Sequence, residues 1–307
     1  MKMKDSNNHL SVRIHNAIQY IEEHSSSKLL LEDVAKQAYL SPYHFHRIFK
    51  TITGETFANF VTRKRIERAA NFLLHSSEKS ISEITELTGF NTISSFSRAF
   101  KKFYGISPTD FKNKSTSRFS KISKTKSKNG KVDTEIEQYI YNMKNLVNYI
   151  DEKASKIEVI TIDDISVAYV PHIGPFDNVG IAFEKLLKWA YPKGLMNGQP
   201  KIMSIYHDSP KVTEESKLKM SACISIENTS VDTSEINTRT ISAGKYVSAT
   251  FTLGMHEFKK TYEAIFVWIF DKGFKVDDTR DPFDEYHNNF NEHPEKLCNL
   301  TVYIPVQ

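Results

Sequence analysis

Through the first 113 residues, apolar side chains recur at spacings of three and four, the period of a helix with one buried face. Val12–Glu23 sets Ile14, Ala17, Ile18 and Ile21 on one stripe. Leu31–Tyr39 follows as a second short helix. Ser41-Pro42 opens a third, with a capping serine and a proline at the first helical position. A longer helix is expected over Phe57–Leu74, charged on one face by Arg63, Lys64, Arg65, Glu67 and Arg68. Ser80-Ile81-Ser82-Glu83 has the form of a capping box. Gly89 then breaks the chain, Thr92–Tyr104 resumes it, and Ser107-Pro108 caps a last short helix. No strand pattern interrupts the series, so this region reads as all-α.

The pattern then changes twice. Lys112–Lys131 is rich in Lys and Ser and poor in apolar residues, the composition of a flexible linker. An amphipathic helix is expected over Thr134–Glu152, with Ile136, Ile140, Met143, Val147 and Ile150 on one side. From Ile157 the runs 157–162, 165–170, 219–226, 245–251 and 300–306 are short and β-branched, with helical patterns at Val179–Ala190 and Glu257–Phe270 between them. This part reads as α+β.

Each part also repeats itself. Phe45, Arg47, Phe49, Lys50, Gly54 and Thr56 recur 51 positions on as Phe96, Arg98, Phe100, Lys101, Gly105 and Ser107. Each copy lies on the second helix of a helix–turn–helix, so the helical part is expected to hold two such motifs. Farther along, Trp189, Gly194 and Leu218 recur as Trp268, Gly273 and Leu297 at an offset of 79, and Gly174 and Tyr206 as Gly254 and Tyr286 at 80. The spacing predicts two βαββ repeats related by a pseudo-two-fold, with a cleft along the axis as a natural ligand site.

Charge separates the two parts. Residues 1–131 hold 23 Lys and Arg against 11 Asp and Glu, a net of +12, whereas residues 132–307 carry −8. The split points to a basic domain that meets a polyanion and a second domain with a different partner. Two cysteines, Cys223 and Cys298, exclude a disulfide framework or a Cys-rich zinc site, and no apolar run reaches the ~18 residues of a membrane span. A cytoplasmic protein without cofactor or metal is expected. His44 and His46 stand at i and i+2, which point apart on a helix and cannot share an ion. No P-loop, dinucleotide fingerprint or nucleophile-elbow sequence occurs.

The strings LLLEDVAKQAYLSPYHFHRIFKTITGETF and ISEITELTGFNTISSFSRAFKKFYGISPTDF, joined by VTRKRIERAANFLL, closely resemble the AraC/XylS-type DNA-binding domain. Leu30 departs from it by standing where a Ser or Thr helix cap is usual, a cost of roughly 1 kcal/mol. AYVPHIGPF, KLLKWAYPKGL, SIYHDSP, KLKMSACISI, VWIFDKGF, PFDEY and YIPV resemble the GyrI-like effector-binding domain. The order of the two resembles the Rob-like class of regulators. The implied organisation is a DNA-binding domain at 8–113, a basic linker and connecting helix at 114–155, and an effector-binding domain at 156–307.

Helix positions expose Tyr43, His44, His46, Arg47 and Lys50 on the first recognition helix, and Thr92, Ile93, Ser94, Ser97, Arg98 and Lys101 on the second. The resemblance puts base contacts on Tyr43, His46, Arg47, Ile93, Ser94, Ser97 and Arg98, with Lys50 and Lys101 beside them. In the second domain Tyr169, Trp189, Tyr206, Tyr246, Trp268 and Tyr286 are expected around the cleft. The GyrI-like pattern sets Asp284 as its carboxylate, with the adjacent Glu285 facing away; a lone buried carboxylate among aromatics suits a lipophilic cation.

The reading is a transcription regulator, an activator, that binds double-stranded DNA and a small effector, works with RNA polymerase, and is a monomer or weak dimer. Competing with it are a hydrolase of small lipophilic compounds that uses Asp284 or Glu285 as acid or base, and a scaffold whose second domain binds a protein.

Overall fold

Helix starts in the first part sit where the sequence supplies a cap. Ser41, Thr56, Ser80 and Thr92 each accept a hydrogen bond from the backbone N–H three residues on, and Ser80 and Glu83 close a reciprocal capping box. Leu30 offers no such bond. The computed structural model describes residues 10–76, 78–114, 130–208, 213–226 and 235–307. It divides into two units, Met1–Asn145 and Leu146–Gln307. Most of the expected linker, residues 115–129, lies outside the described residues.

The first unit carries α1 (Leu10–His24), α2 (Leu31–Gln37), α3 (Pro42–Thr53), α4 (Phe57–His75), α5 (Ile81–Leu87), α6 (Ile93–Tyr104) and α7 (Pro108–Lys114). Helix α8 (Gly130–Lys153) begins in this unit and ends in the second. Phe96 and Phe100 of α6 are buried with Ile66, Ala69, Ala70 and Leu73 of α4, Ile84 of α5 and Phe111 of α7. Phe45 and Phe49 of α3 are likewise wholly buried, and Phe49 meets Phe60 of α4 edge to face. Lys64 of α4 bonds Glu22 of α1 at 2.6 Å and Glu135 of α8 at 2.9 Å. Arg63 beside it pairs with Glu55, Glu67 and Glu135.

The second unit is built on strands β1 (Lys156–Ile162), β2 (Ile165–Ile173), β3 (Ile202–Tyr206), β4 (Lys219–Ser225), β5 (Asn237–Ile241), β6 (Gly244–Gly254), β7 (Phe283–Tyr286) and β8 (Leu297–Pro305). They form one antiparallel sheet in the order β1-β6-β8-β7-β3-β4-β2-β5. Helices α9 (Gly180–Ala190) and α10 (Phe258–Asp271) pack on one face of it. The end of α8 joins α10 through Tyr149–Thr261, Asp151–Trp268 and Lys153–Glu257. Three strands, β3, β5 and β7, fall outside the five β-branched runs. β3 and β7 are only five and four residues long, and β5 (NTRTI) is a mostly polar strand on the sheet edge.

Alternation along the central strands decides what meets what. β3 and β7 lie side by side in the middle of the sheet, with Ser204 opposite Asp284 and Ile202 opposite Tyr286. Ser204, Tyr206, Asp284 and Tyr286 therefore point to the helix-covered face. Met203, Ile205 and Phe283 point to the other, where they pack with Val167, Cys223 and Tyr246.

Candidate functional site

The recognition-helix candidates are built alike. α3 runs from a Ser41 cap to Gly54 at φ 77°, and α6 from a Thr92 cap to Gly105 at φ 79°, each twelve residues long. The left-handed glycine ends each helix without a Cβ penalty. With the phenylalanine pair turned inward, α6 leaves Ile93, Ser94, Arg98 and Lys101 exposed and Ser97 half-buried. Of the α3 contact candidates Tyr43 is exposed, while His46, Arg47 and Lys50 are half-buried. His44 does not point outward as expected. It is 4% exposed, its Nδ1 lies 2.8 Å from the Ser41 hydroxyl, and burial and then Arg47 push its pKa down to about 4. A histidine this near the helix start folds back onto its own cap, which positional counting cannot foresee. Among the described residues no cluster of His, Cys, Asp and Glu could hold a metal ion.

In the second unit the buried carboxylate is Asp284. It is 0% exposed, and each oxygen accepts from a tyrosyl hydroxyl, one from Tyr206 at 2.7 Å and the other from Tyr262 of α10. Burial raises its pKa to about 7, and the two hydroxyls hold back a further rise. The same burial, with Asp284 beside them, lifts Tyr206 and Tyr262 well above the ordinary tyrosine value, so both stay protonated donors. The carboxylate expected to stand without a partner thus has two.

The neighbouring tyrosine repeats the pattern with two exchanges, Ser204 for Asp284 and Phe183 for Tyr262. Tyr286 donates to Ser204 at 3.0 Å, and its ring meets Phe183 of α9 as that of Tyr206 meets Tyr262. Phe176 meets the Tyr206 ring edge to face at 5.2 Å. Tyr262 and Phe183 were not among the sequence candidates. They stand 79 residues apart, the offset of the tryptophan repeat, and that offset was the signal available.

The remaining candidates lie elsewhere. Tyr169 and Tyr246 pack on the opposite face of the sheet, because strand alternation turns them away from Tyr206 and Tyr286. Glu285 points there too, as its neighbour relation to Asp284 requires, and meets Lys201 at 3.0 Å and the Tyr303 hydroxyl at 3.1 Å. Trp189 packs beside the α9 core under Lys193, and the Trp268 indole donates to Asp151 of α8. The structure brings Tyr206, Asp284 and Tyr286 together, and leaves Tyr169, Trp189, Tyr246, Trp268 and Glu285 apart from them.

A second constellation was not read from the sequence. His207 bridges Asp281 through Nδ1 and Ser221 through Nε2, both at 2.9 Å, and Arg239 holds the same Asp281 oxygen at 3.0 Å. The order of groups is that of a nucleophilic relay. Ser221, however, is 1% exposed in the middle of β4, a strand paired on both edges, so its backbone N–H groups serve the sheet and not an oxyanion. The bonds brace β4 and the end of β3 against the segment before β7.

With this geometry in hand, comparison with known proteins gives the family. Residues 34–114 match a helix-turn-helix domain, and residues 155–307 match the GyrI-like small molecule binding domain. The regulatory protein PocR of Salmonella typhimurium is 38% identical over 100 residues, 33% of each chain. The TetD protein of transposon Tn10 from Escherichia coli is 33% identical over 99 residues, covering 32% of this chain and 71% of TetD. Among solved structures, the C-terminal domain of AraT, a response regulator from Geobacillus stearothermophilus, is 41% identical with a TM-score of 0.32, covering 34% of this chain and 86% of that one. The chain spans only 33% and 37% of the lengths of PocR and of the probable transcriptional regulator LumQ from Photobacterium leiognathi. Two helices of one design that both pack on α4, followed by a sheet whose centre buries a tyrosine-bonded carboxylate, thus belong to a chain of the AraC-type helix-turn-helix family of regulators, with a GyrI-like small molecule binding domain in its second half.

Proposed function

We propose that this protein is a DNA-binding transcription regulator that senses a small amphipathic cation at Asp284. The DNA half rests on the capped, glycine-ended pair α3 and α6, read as the second helices of two tandem helix–turn–helix motifs, α2–α3 and α5–α6. One chain offers both helices to successive major-groove segments about one turn (~34 Å) apart. Tyr43, His46, Arg47, Ile93, Ser94, Ser97 and Arg98 face the bases, and Lys50 and Lys101 the phosphates.

The observation that carries the sensing half is a wholly buried Asp284 whose pKa burial has raised to about 7. A cation placed beside it relieves the desolvation of the charged form and gains the faces of Tyr206, Tyr262 and Tyr286. A pseudo-two-fold between two βαββ repeats is supported by the order β6-β8-β7 beside β3-β4-β2 and by the matched contacts Phe183–Tyr286 and Tyr262–Tyr206. The axis then runs between Ser204 and Asp284, and the exchange of one for the other makes a single wall acidic. Catalysis and a cofactor have no part in this reading; RNA polymerase and a cytoplasmic setting do.

Thermal shift with cationic ligands and neutral ligands of matched shape, on the wild type and Asp284→Asn, tests the sensing half. The cations should stabilise the wild type more, and the substitution should abolish the difference. Equal response to both classes would overturn it. Selection of duplexes from random DNA tests the other half, and failure to enrich any sequence would refute it.

A further inference from the structure

We infer that α1 is a spacer that fixes the distance and phase between the two recognition helices, gripping the turn of one motif at its start and meeting the turn of the other at its end. This rests on the DNA-binding reading above.

At the first end, Arg13 lies along the turn between α2 and α3. Its Nε donates to the Ala38 carbonyl and its terminal nitrogen to the Tyr39 carbonyl, both at 2.7 Å. Arg13 is only 9% exposed, and burial lowers its pKa. A buried guanidinium held by two carbonyls is a fixed fork, not a loose surface contact. Its partners are the carbonyls of the C-cap residue Ala38 and of Tyr39 just beyond α2, in the turn that leads to α3.

The other end lies about 20 Å away, at 1.5 Å of rise per residue. There the chain leaving α1 passes Ser25, Ser26 and Ser27. Arg65 of α4 donates to the Ser25 carbonyl at 2.6 Å and to the Ser27 carbonyl at 2.7 Å. Lys64 beside it pairs with Glu22 in the last turns of α1. Between the two gripped carbonyls stands Ser26, and against it stands Gly89, in the turn between α5 and α6. Gly89 has φ 78°, and a Cβ there would lie 2.5 Å from the Ser26 carbonyl oxygen and 2.8 Å from its carbon. The next residue, Phe90, packs into the core of the second motif and lies under the Arg65 guanidinium at 5.9 Å.

The two turns are therefore joined by a rod that a two-bond fork ties to the first turn, and that Arg65 of α4 clamps by two bonds where its far end packs on Gly89 of the second. Helix α4 links the motifs covalently, but one helix leaves rotation about its ends open. A second connection, beginning at Ala38-Tyr39 and ending at Gly89, removes that freedom. The turns lead directly into α3 and α6, so the rod sets how far apart, and at what twist, the two helices stand. Arg13, Arg65 and Gly89 act as positioning residues.

The test uses the full chain and a duplex it selects from random-sequence DNA. Two derivatives of that duplex are needed: one with two base pairs inserted between the contacted boxes, and one with a single box scrambled. Two base pairs turn the second box by roughly 70° and move it ~7 Å, so the wild type should lose about tenfold or more in affinity. Arg65→Gln and Gly89→Ala should keep wild-type affinity for the single-box duplex, yet lose less than about threefold on insertion. A thermal melt accompanies each variant.

Two boxes with unchanged spacing dependence in both variants overturn the spacer and leave the DNA-binding reading standing. Loss of single-box binding in both variants makes these contacts a condition of folding and also overturns the spacer. A chain that selects no DNA fails at the underlying reading and takes the spacer with it.

Discussion

Asp284→Asn should change how the stability of the second unit responds to pH. The carboxyl is wholly buried, and its pKa stands at about 7 against an ordinary 3.8. Three pH units at ~1.4 kcal/mol each come to ~4 kcal/mol of linked free energy. The raised folded-state value means that between pH 4 and 7 the folded chain holds a proton the unfolded chain has released. The contribution is present in full below about pH 4, is lost as pH rises toward 7, and is flat above. The asparagine variant would carry no such dependence, because its side-chain amide keeps the shape of the protonated acid and can still bond Tyr206 and Tyr262. Urea unfolding of both proteins from pH 4.5 to 8.5, followed by tryptophan fluorescence, reads this directly, since both tryptophans, Trp189 and Trp268, lie in this unit. Other titrating groups cancel in the difference between the two curves. That difference should shift against the wild type by a few kcal/mol and level off near pH 7.5. A difference constant to within ~0.5 kcal/mol across the range would refute the buried-acid argument.

Tyr262→Phe removes one donor from Asp284, so it should destabilise by about 1.5–3 kcal/mol at pH 8, where the carboxylate is charged, and by less at pH 5; equal losses at both pH values would count against the bond. Arg98→Ala should cost roughly 1–3 kcal/mol of binding to the selected duplex, measured by fluorescence anisotropy, if its guanidinium reads a guanine. Wild-type affinity should also fall steeply as salt is raised. In thermal melts followed by circular dichroism, Ser80→Ala should lose about 1 kcal/mol, whereas Leu30→Asp should gain about 0.5–1 kcal/mol by supplying the missing cap.

Much of the first unit is legible because its signals are local. Caps at Ser41, Ser80 and Thr92, the glycines after α3 and α6, and the inward phenylalanines all act within one or two turns of chain. The exception is His44, whose ring returns to Ser41, a choice made by burial and not by period. In the second unit, alternation assigns Asp284 and Glu285 to opposite faces as expected. It also separates Tyr169 and Tyr246 from Tyr206, and this required the register across β2, β4 and β3 and across β7, β8 and β6, which a single strand does not encode. Tyr262 was hidden for a different reason. Helix α10 buries Thr261 and an unbroken run from Ala264 to Phe270, so no polar stripe marks the position that faces the carboxylate.

The tyrosine bonds on Asp284 have a kinetic meaning as well. Both carboxylate oxygens are already engaged, and Ser204 opposite is equally buried, so on the proposed cation-sensing reading an arriving ligand would wait for the rings of Tyr206 and Tyr262 to part. The affinity measured in solution is then the intrinsic affinity scaled by the fraction of molecules caught open; at an open fraction of about 1%, the apparent dissociation constant is about a hundredfold weaker. Association should saturate with ligand concentration at the rate of ring opening instead of rising without limit. A substitution that loosens this latch should raise sensitivity to every ligand at once, without touching any of them.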